Sequence, residues 1–212
     1  MTTLDKVWLD EAAAALREAN LEFAHTHPGE GPGRQPVHTV YGGAQLFAAD
    51  TTVKLGRVAE KAMAEYAPDA ATLGSALGIT EHPALATIDQ RVREKLAREP
   101  VEDYRIDFED GYGNRPDAEE DGHADAVVRE LTKGIAERTL PPFIGVRIKP
   151  LNEELRPRSI RTLDLVMSGL VENGGIPDNW VVTVPKITII EQVDFFVKVL
   201  EQLEAQLDLE EG

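Results

Sequence analysis

The stretch that decides the fold is Val101-Glu-Asp-Tyr-Arg-Ile-Asp-Phe-Glu-Asp-Gly-Tyr-Gly113. In its first half, every second residue from Tyr104 to Phe108 is aromatic or aliphatic, an alternation that predicts a β-strand. The second half ends in two adjacent carboxylates, Glu109 and Asp110, followed by glycine. Two like charges at the end of a buried strand are costly unless a cation or a water network compensates, so the pair is a candidate site. A solvated acidic turn is the alternative, because Asp and Gly are ordinary turn residues.

Composition limits the classes of protein to which the chain can belong. A chain of 212 residues with 42% hydrophobic residues can bury one main core. The formal charge of −16 argues against non-specific binding to nucleic acid or an anionic membrane. Without cysteine there is no thiolate nucleophile and no Cys-based zinc site, so a metal would be a hard cation bound by oxygen, and Mg²⁺ fits best. With no apolar signal segment or bilayer-length apolar run, we expect a cytoplasmic protein.

The chain is predicted to contain a short N-terminal region and one α/β domain. Residues 4–24 have helical spacing of apolar residues, and residues 25–36 are rich in Pro and Gly and predict a loop. We therefore place an N-terminal helix and loop at residues 1–36 and the main domain at residues 37–212.

The main domain shows four strand-and-helix units in regular alternation. The predicted strands are residues 37–43, about 101–108, 141–150 and 180–186; the helices are 50–64, 85–98, 123–138, 159–172 and 189–207, and residues 66–84 are predicted to be irregular. Such alternation predicts parallel strands with right-handed crossovers. Both an open doubly wound sheet and part of a (β/α)₈ barrel satisfy it, and in both the ligand lies at the carboxyl ends of the strands.

Charged residues and glycines collect at those strand ends. Arg147 interrupts a strand that should be apolar on both faces, and its guanidinium needs an anion: a ligand, or Glu109 or Asp110 in a structural salt bridge. The absence of G-x-G-x-x-G after the first strand and of a G-x-x-x-x-G-K-[ST] segment argues against dinucleotide and P-loop sites. The candidate site residues are Gly42 and Gly43 for substrate binding, Glu109, Asp110 and Arg147 for catalysis, and Lys186 for substrate binding, with a solvated loop cation as the alternative for Lys186.

Three of these strand ends resemble a known family. Ile106-Asp-Phe-Glu-Asp-Gly, Gly145-Val-Arg-Ile-Lys-Pro and Val184-Pro-Lys are similar, in order and spacing, to the L-E-D, V-R-I-N and P-K strand ends of the HpcH/HpaI aldolase and citrate lyase β-subunit family. The resemblance runs from about residue 37 to the C-terminus and is closest to an uncharacterised aldolase-like branch. It implies a TIM barrel of the phosphoenolpyruvate/pyruvate type that cleaves carbon-carbon bonds with Mg²⁺.

The resemblance also implies roles for individual residues. Arg147 would grip the carboxylate or enolate oxygen of a 2-keto acid, and Glu109 and Asp110 would order metal-bound waters. The expected substrate is a small carboxylate, either a 2-keto acid or a 3-hydroxy acid, with acyl-CoA forms included. Mg²⁺ is the expected cofactor.

The sequence departs from the family pattern at two points, and both change the function that we expect. Tyr41-Gly-Gly43-Ala stands where the family has Val-Pro-Gly, and the family's direct Mg²⁺ ligands lie on its fifth and sixth strands, beyond the four units seen here. We therefore expect the first four units of a TIM (β/α)₈ barrel, with primary metal ligands beyond Gly212 and a homo-oligomer that covers the exposed edges. The alternatives are a non-catalytic half-barrel that acts in folding or oligomerisation, and an open flavodoxin-like phosphate binder.

Overall fold

The computed structural model describes residues 3–29 and 31–210 and divides into two compact units, Met1–Gln35 and Pro36–Gly212. The first unit contains α1 (Lys6–Ala12) and α2 (Ala14–Thr26). The prediction of one continuous N-terminal helix is therefore wrong. Helix α1 begins where the Asp5 carboxylate accepts hydrogen bonds from the amides of Val7 and Trp8, and it ends at Ala13.

The second unit is built on a four-stranded parallel sheet. The strands are β1 (Thr39–Gly43), β2 (Asp103–Asp107), β3 (Phe143–Arg147) and β4 (Trp180–Thr183), and they lie side by side in the order of the sequence. Gly43, Asp107 and Arg147 are direct neighbours across β1, β2 and β3. The predicted α/β fold with parallel strands is confirmed, and the register brings the carboxyl ends of the strands level.

Six α-helices connect and follow these strands in the described part of the second unit. They are α3 (Thr51–Tyr66), α4 (Ala70–Leu77), α5 (Leu85–Arg98), α6 (Asp117–Glu137), α7 (Arg156–Glu172) and α8 (Ile190–Leu207). None of the helices in the described residues is long and apolar enough to cross a membrane.

Two helix predictions were wrong. Helix α6 begins at Asp117 and not at residue 123, because three acidic residues in its first turn favour the positive end of the helix dipole and Gly122 is tolerated inside it. Helix α4 lies in the segment predicted to be irregular. Its N-terminus is capped by the Asp69 carboxylate, which accepts from the Thr72 amide at 2.8 Å, and Gly78 ends it at φ +70°.

The two faces of the sheet differ in chemistry. Helices α6, α7 and α8 pack on one face, where Ile106, Ile144 and the α7 residue Leu163 have no exposed surface. Each such side chain contributes roughly 1.5–3 kcal/mol to folding. The other face carries polar and charged side chains, among them Asp103, Arg105, Asp107 and Arg147.

Candidate functional site

The centre of the candidate site is an ion pair between the last residues of β2 and β3. Arg147 donates from Nε to Asp107 Oδ1 at 2.8 Å and from Nη2 to Asp107 Oδ2 at 2.6 Å. The Asp107 carboxylate also accepts from the backbone amides of Glu109 at 2.8 Å and Gly111 at 2.7 Å. One almost fully buried carboxylate therefore fixes both the guanidinium and the turn that follows β2.

These contacts set the ionisation of the pair. Burial acts to raise the pKa of Asp107, but the hydrogen bonds from Arg147 and from the amides of Glu109 and Gly111 outweigh it and hold the pKa below its ordinary value. The hydrogen bonds that Arg147 donates to Asp107 also raise the pKa of the Arg147 guanidinium. Both groups are therefore charged at neutral pH.

The turn after β2, residues 109–113 and here called the acidic turn, brings two carboxylates close to Arg147. Glu109 is buried, and its Oε2 lies 3.4 Å from Arg147 Nη1. Lys186 Nζ contacts Glu109 Oε1 and donates to Asp110 Oδ1 at 2.9 Å. Its contacts with Glu109 and then Asp110 raise the pKa of the Lys186 ammonium group. The structure thus brings together four of the sequence-predicted residues, although the main partner of Arg147 is Asp107 and not Glu109 or Asp110.

The two glycines of β1 have packing roles. A Cβ on Gly43 would overlap the carbonyl oxygen of Gly111, so Gly43 lets the turn after β2 pack against the end of β1. A Cβ on Gly42 would overlap the hydroxyl of Tyr104, so Gly42 makes room for that ring on the helix-facing side. Contact of these two residues with a substrate stays a prediction.

Sequence reasoning missed Lys149, whose ammonium group contacts backbone carbonyls at both ends of the acidic turn. Its Nζ donates to the carbonyl of Phe108 at 2.6 Å and lies 3.5 Å from the carbonyl of Gly113, at the two ends of the turn. Its counter-ion is Glu120 of α6, with Oε2 at 2.9 Å and no exposed surface. The available signal was that Lys149 shares a strand face with Arg147 in the alternating stretch of residues 143–149.

Tyr112 anchors the far end of the turn. Its hydroxyl lies 2.7 Å from Nδ1 of His123, and its ring lies 4.8 Å from Lys149 Nζ. Burial, together with the nearby Glu120 carboxylate, raises the pKa of Tyr112 to about 12. The phenol is therefore neutral at physiological pH, and the turn is held by hydrogen bonds and by packing.

A small cavity opens beside this turn at the carboxyl ends of the strands. Its volume is about 240 Å³. A water molecule takes about 30 Å³ of the liquid, so several waters or a small organic acid fit into it. Its walls carry both charged and apolar side chains: Glu109, Asp110, Gly113, Asn114, Lys149, Pro150, Leu155 and Lys186.

The residues present fit the outer shell of a metal and not its first shell. Among residues 3–29 and 31–210, no three His, Asp or Glu side chains converge closely enough to hold an ion. The two buried oxygens of Glu109 contact the Arg147 guanidinium and the Lys186 ammonium group. The expectation that Glu109 and Asp110 act on Mg²⁺ through water stays a prediction.

Comparison with protein families assigns the chain over most of its length. Residues 16–212 match the model of a domain of unknown function, DUF6986. The chain belongs to the DUF6986 family. No curated protein and no solved structure matches it. The functional argument for this DUF6986 chain therefore depends on the chemistry of its strand ends.

Proposed function

We propose that this DUF6986 chain forms the first four units of a (β/α)₈-type carbon-carbon lyase that acts on a 2-keto acid or 3-hydroxy acid through an enolate. The observation that carries the proposal is Arg147, whose guanidinium is fixed at the end of β3 by a bidentate contact with Asp107. Preorganised positive charge at the end of a parallel strand is suited to an anion that develops during a reaction.

The geometry of the guanidinium supports this role. A guanidinium has five N–H groups, and Asp107 takes one from Nε and one from Nη2. The edge formed by Nη1 and the second N–H of Nη2 is not bonded to Asp107; Glu109 Oε2 lies 3.4 Å from Nη1, and a substrate anion would compete with that contact. That fork matches the two oxygens of a carboxylate or of a 2-keto-acid enolate.

The chemistry needs charge stabilisation at one oxygen. In the cleavage, a base takes the proton of the substrate hydroxyl group, that carbon becomes a carbonyl as the carbon-carbon bond breaks, and the electron pair of the broken bond forms an enolate. The enolate then takes a proton from water at carbon. Arg147 would stabilise the enolate oxygen, an effect worth roughly several kcal/mol in a site of this type. Mg²⁺, when bound, would supply Lewis-acid polarisation of the same group. Glu109 would accept hydrogen bonds from its waters, and Lys186 would hold the substrate carboxylate.

The arrangement of the sheet favours a barrel over a doubly wound sheet. A doubly wound sheet reverses its strand order at the ligand site, as the flavodoxin-like alternative requires. Here the four strands follow one another in sequence order, and α6, α7 and α8 pack on the same face. A (β/α)₈ barrel has this layout, and the polar face of the sheet would then line its interior.

Ligand binding tests the proposal. Oxalate, a planar mimic of enolpyruvate, and pyruvate would be titrated into the protein by calorimetry with and without Mg²⁺. We expect binding that Arg147→Gln weakens at least tenfold, or about 1.4 kcal/mol. Arg161→Gln is the matched control, because Arg161 also makes a bidentate contact with an aspartate, Asp121, but lies on α7 and not at the end of a strand. Equal affinity in the two variants would contradict the proposal.

A second candidate is a non-catalytic half-barrel. The observation that favours it is that each cation of the site already has an anionic partner: Arg147 has Asp107, Lys149 has Glu120, and Lys186 has Asp110. A site neutralised in this way needs no ligand. A scaffold would bind neither oxalate nor pyruvate under any metal condition, which separates the two candidates.

A further inference from the structure

Tyr41 of β1 lies beside the guanidinium of Arg147 on the polar face of the sheet. It shares that face with Gly43, which is in register with Asp107 and Arg147. The centroid of the Tyr41 ring lies 4.5 Å from Cζ of Arg147, a distance typical of a cation–π contact. Strand β2 lies between β1 and β3, so the two side chains meet across the intervening strand.

The Tyr41 ring is not part of the main core. Tyr41 is 46% exposed, whereas the core residues Tyr104 and Phe108 are 3% and 0% exposed. A ring that keeps this much surface in water gains less from burial than a core ring does. The contact with Arg147 therefore explains the placement of Tyr41 better than core packing does.

The ring restricts a motion of the guanidinium that Asp107 leaves open. Asp107 accepts from Nε and Nη2 of Arg147, and these two hydrogen bonds fix one edge of the group. The guanidinium can still tilt about the line through the two Asp107 oxygens. Tyr41 covers one face of the group and limits that tilt.

The same contacts leave an anion one direction of approach. Glu109 Oε2 lies 3.4 Å from Nη1, and the Arg147 side chain keeps 19% of its surface exposed. The N–H groups of a guanidinium point outward in its plane. An anion that displaces Glu109 must therefore bind along the outer edge, in the plane of the guanidinium.

The electrostatics of the ring distinguish between shapes of anion. The face of an aromatic ring is negative, so it attracts the guanidinium and repels an oxyanion. A carboxylate or an enolate bound along the outer edge lies flat, with its oxygens in the guanidinium plane. A phosphate bound through two oxygens has its other two above and below that plane, and one of these would lie towards the ring.

We propose that Tyr41 positions the Arg147 guanidinium and makes it select flat anions over tetrahedral ones. Tyr41 is a positioning residue, because it acts through Arg147 and not on the reacting atoms. This inference rests on the proposed function, since it specifies the class of anion that the same guanidinium binds. It also opposes the phosphate-binding alternative that the sequence left open.

The first test needs no ligand. In proton–nitrogen NMR spectra of the full chain, the Nε–H proton of Arg147 should show the upfield shift of a proton near the face of an aromatic ring; the signal is identified by its loss in Arg147→Gln. Tyr41→Phe should keep that shift because it keeps the ring. Tyr41→Leu should lose it, as should Tyr41→Met, a second ring-free variant that guards against a folding defect of one substitution.

The matched control is Tyr66→Leu. Tyr66 is the last residue of α3 and is 71% exposed, so this variant also replaces an exposed tyrosine of the second unit. It should leave the Arg147 signal unchanged. A loss of the upfield shift in Tyr66→Leu would show that the signal does not report on Tyr41.

The second test measures selectivity with oxalate and inorganic phosphate, each titrated by calorimetry. The wild type and Tyr41→Phe should bind oxalate more tightly than phosphate. Tyr41→Leu should bind oxalate about threefold to tenfold more weakly, as expected for the loss of one cation–π contact. Its ratio of oxalate to phosphate affinity should also fall, because the negative ring face no longer opposes the tetrahedral anion.

The outcomes separate the role of Tyr41 from the proposed function. An Arg147 signal that is the same in the wild type and in Tyr41→Leu would overturn the positioning role. Oxalate binding with an unchanged oxalate-to-phosphate ratio in Tyr41→Leu would overturn the selectivity alone. A wild-type protein that binds neither anion would overturn the selectivity and the proposed function together.

Discussion

At the residue scale, the buried Asp107 carboxylate organises the site. It accepts two hydrogen bonds from Arg147 and two from backbone amides of the acidic turn. The sequence drew attention to Glu109 and Asp110 because they end the strand. Asp107 was harder to assign, since its importance depends on being the direct neighbour of Arg147 in the sheet, and register is set by tertiary pairing.

Replacement of Asp107 should lower both the stability of the fold and its sensitivity to acid. The folded pKa of Asp107 is depressed, so its stabilisation is fully present above the ordinary value of 3.8 and is lost as pH falls through the folded value. Asp107→Asn should cost about 3 kcal/mol near neutral pH, because it removes the closest counter-ion of Arg147 and leaves only the longer contact with Glu109. Urea unfolding as a function of pH measures both effects.

The comparison variant for this experiment is Asp89→Asn, which breaks an i,i+4 ion pair with Arg93 on α5. Its stability should fall by less than that of Asp107→Asn, because the Asp89 side chain is 16% exposed and that of Asp107 is 1% exposed. The difference in unfolding free energy between wild type and Asp107→Asn should shrink below about pH 4, where an unfolded aspartate binds a proton. A pH-independent difference would show that the carboxylate charge does not matter.

At the element scale, the sequence predicted the long periodic elements and missed features that depend on local capping or on packing. Residues Leu163, Val166 and Leu170 of α7 are buried as helical spacing predicted. Helix α4 was missed although Asp69 and Gly78 are ordinary capping residues, because the density of Pro and Gly around it suggested a loop. The contacts of Lys149 with the acidic turn and with Glu120 of α6 could not be predicted, since they connect residues that are far apart in the sequence.

Close approach of β3 and β4 depends on Gly145. A Cβ there would overlap the carbonyl oxygen of Val181 and come within 2.9 Å of Arg105 Nη1. Gly145→Ala should therefore destabilise the fold by about 1–3 kcal/mol. Gly122→Ala in α6 is the opposite case, because no atom lies within 4 Å of its Cβ, and it should stabilise by up to about 1 kcal/mol. Thermal or urea unfolding of both variants checks the signs, and a neutral Gly145→Ala would contradict the observed packing.

The Lys149–Glu120 pair should hold the acidic turn. Lys149→Met removes the closer of two cations at the buried Glu120 carboxylate, since Arg158 Nε lies 3.4 Å from its other oxygen, so the loss should be below the about 3–5 kcal/mol of an unpaired buried charge. Amide exchange at residues 109–113 should speed up in this variant. Lys149→Met combined with Glu120→Gln should recover much of the stability but not the slow exchange, since the contacts to the carbonyls of Phe108 and Gly113 stay absent. Additive losses in a double-mutant cycle would rule out coupling between the two residues.

At the scale of the whole molecule, composition and alternation were sufficient for the parallel α/β class, and the DUF6986 match covers the same domain. The order of the strands could not be read from alternation, because barrels and doubly wound sheets share it. The grouping of charged residues at one end of the sheet could be predicted, because the carboxyl ends of parallel strands lie at the same edge. Asp107 and Lys149 complete that chemistry through contacts between β2, β3 and α6 that depend on tertiary pairing.

The most direct measurement is nitrogen NMR of the Arg147 guanidinium during titration with oxalate, with signals assigned by comparison with Arg147→Gln. The account predicts that Nη resonances of Arg147 shift on saturation while its Nε–H keeps its Asp107-bonded position, because the ligand occupies the edge that Asp107 leaves open. Unchanged Arg147 signals at saturating oxalate, or equal oxalate affinity in Arg147→Gln, would contradict the account.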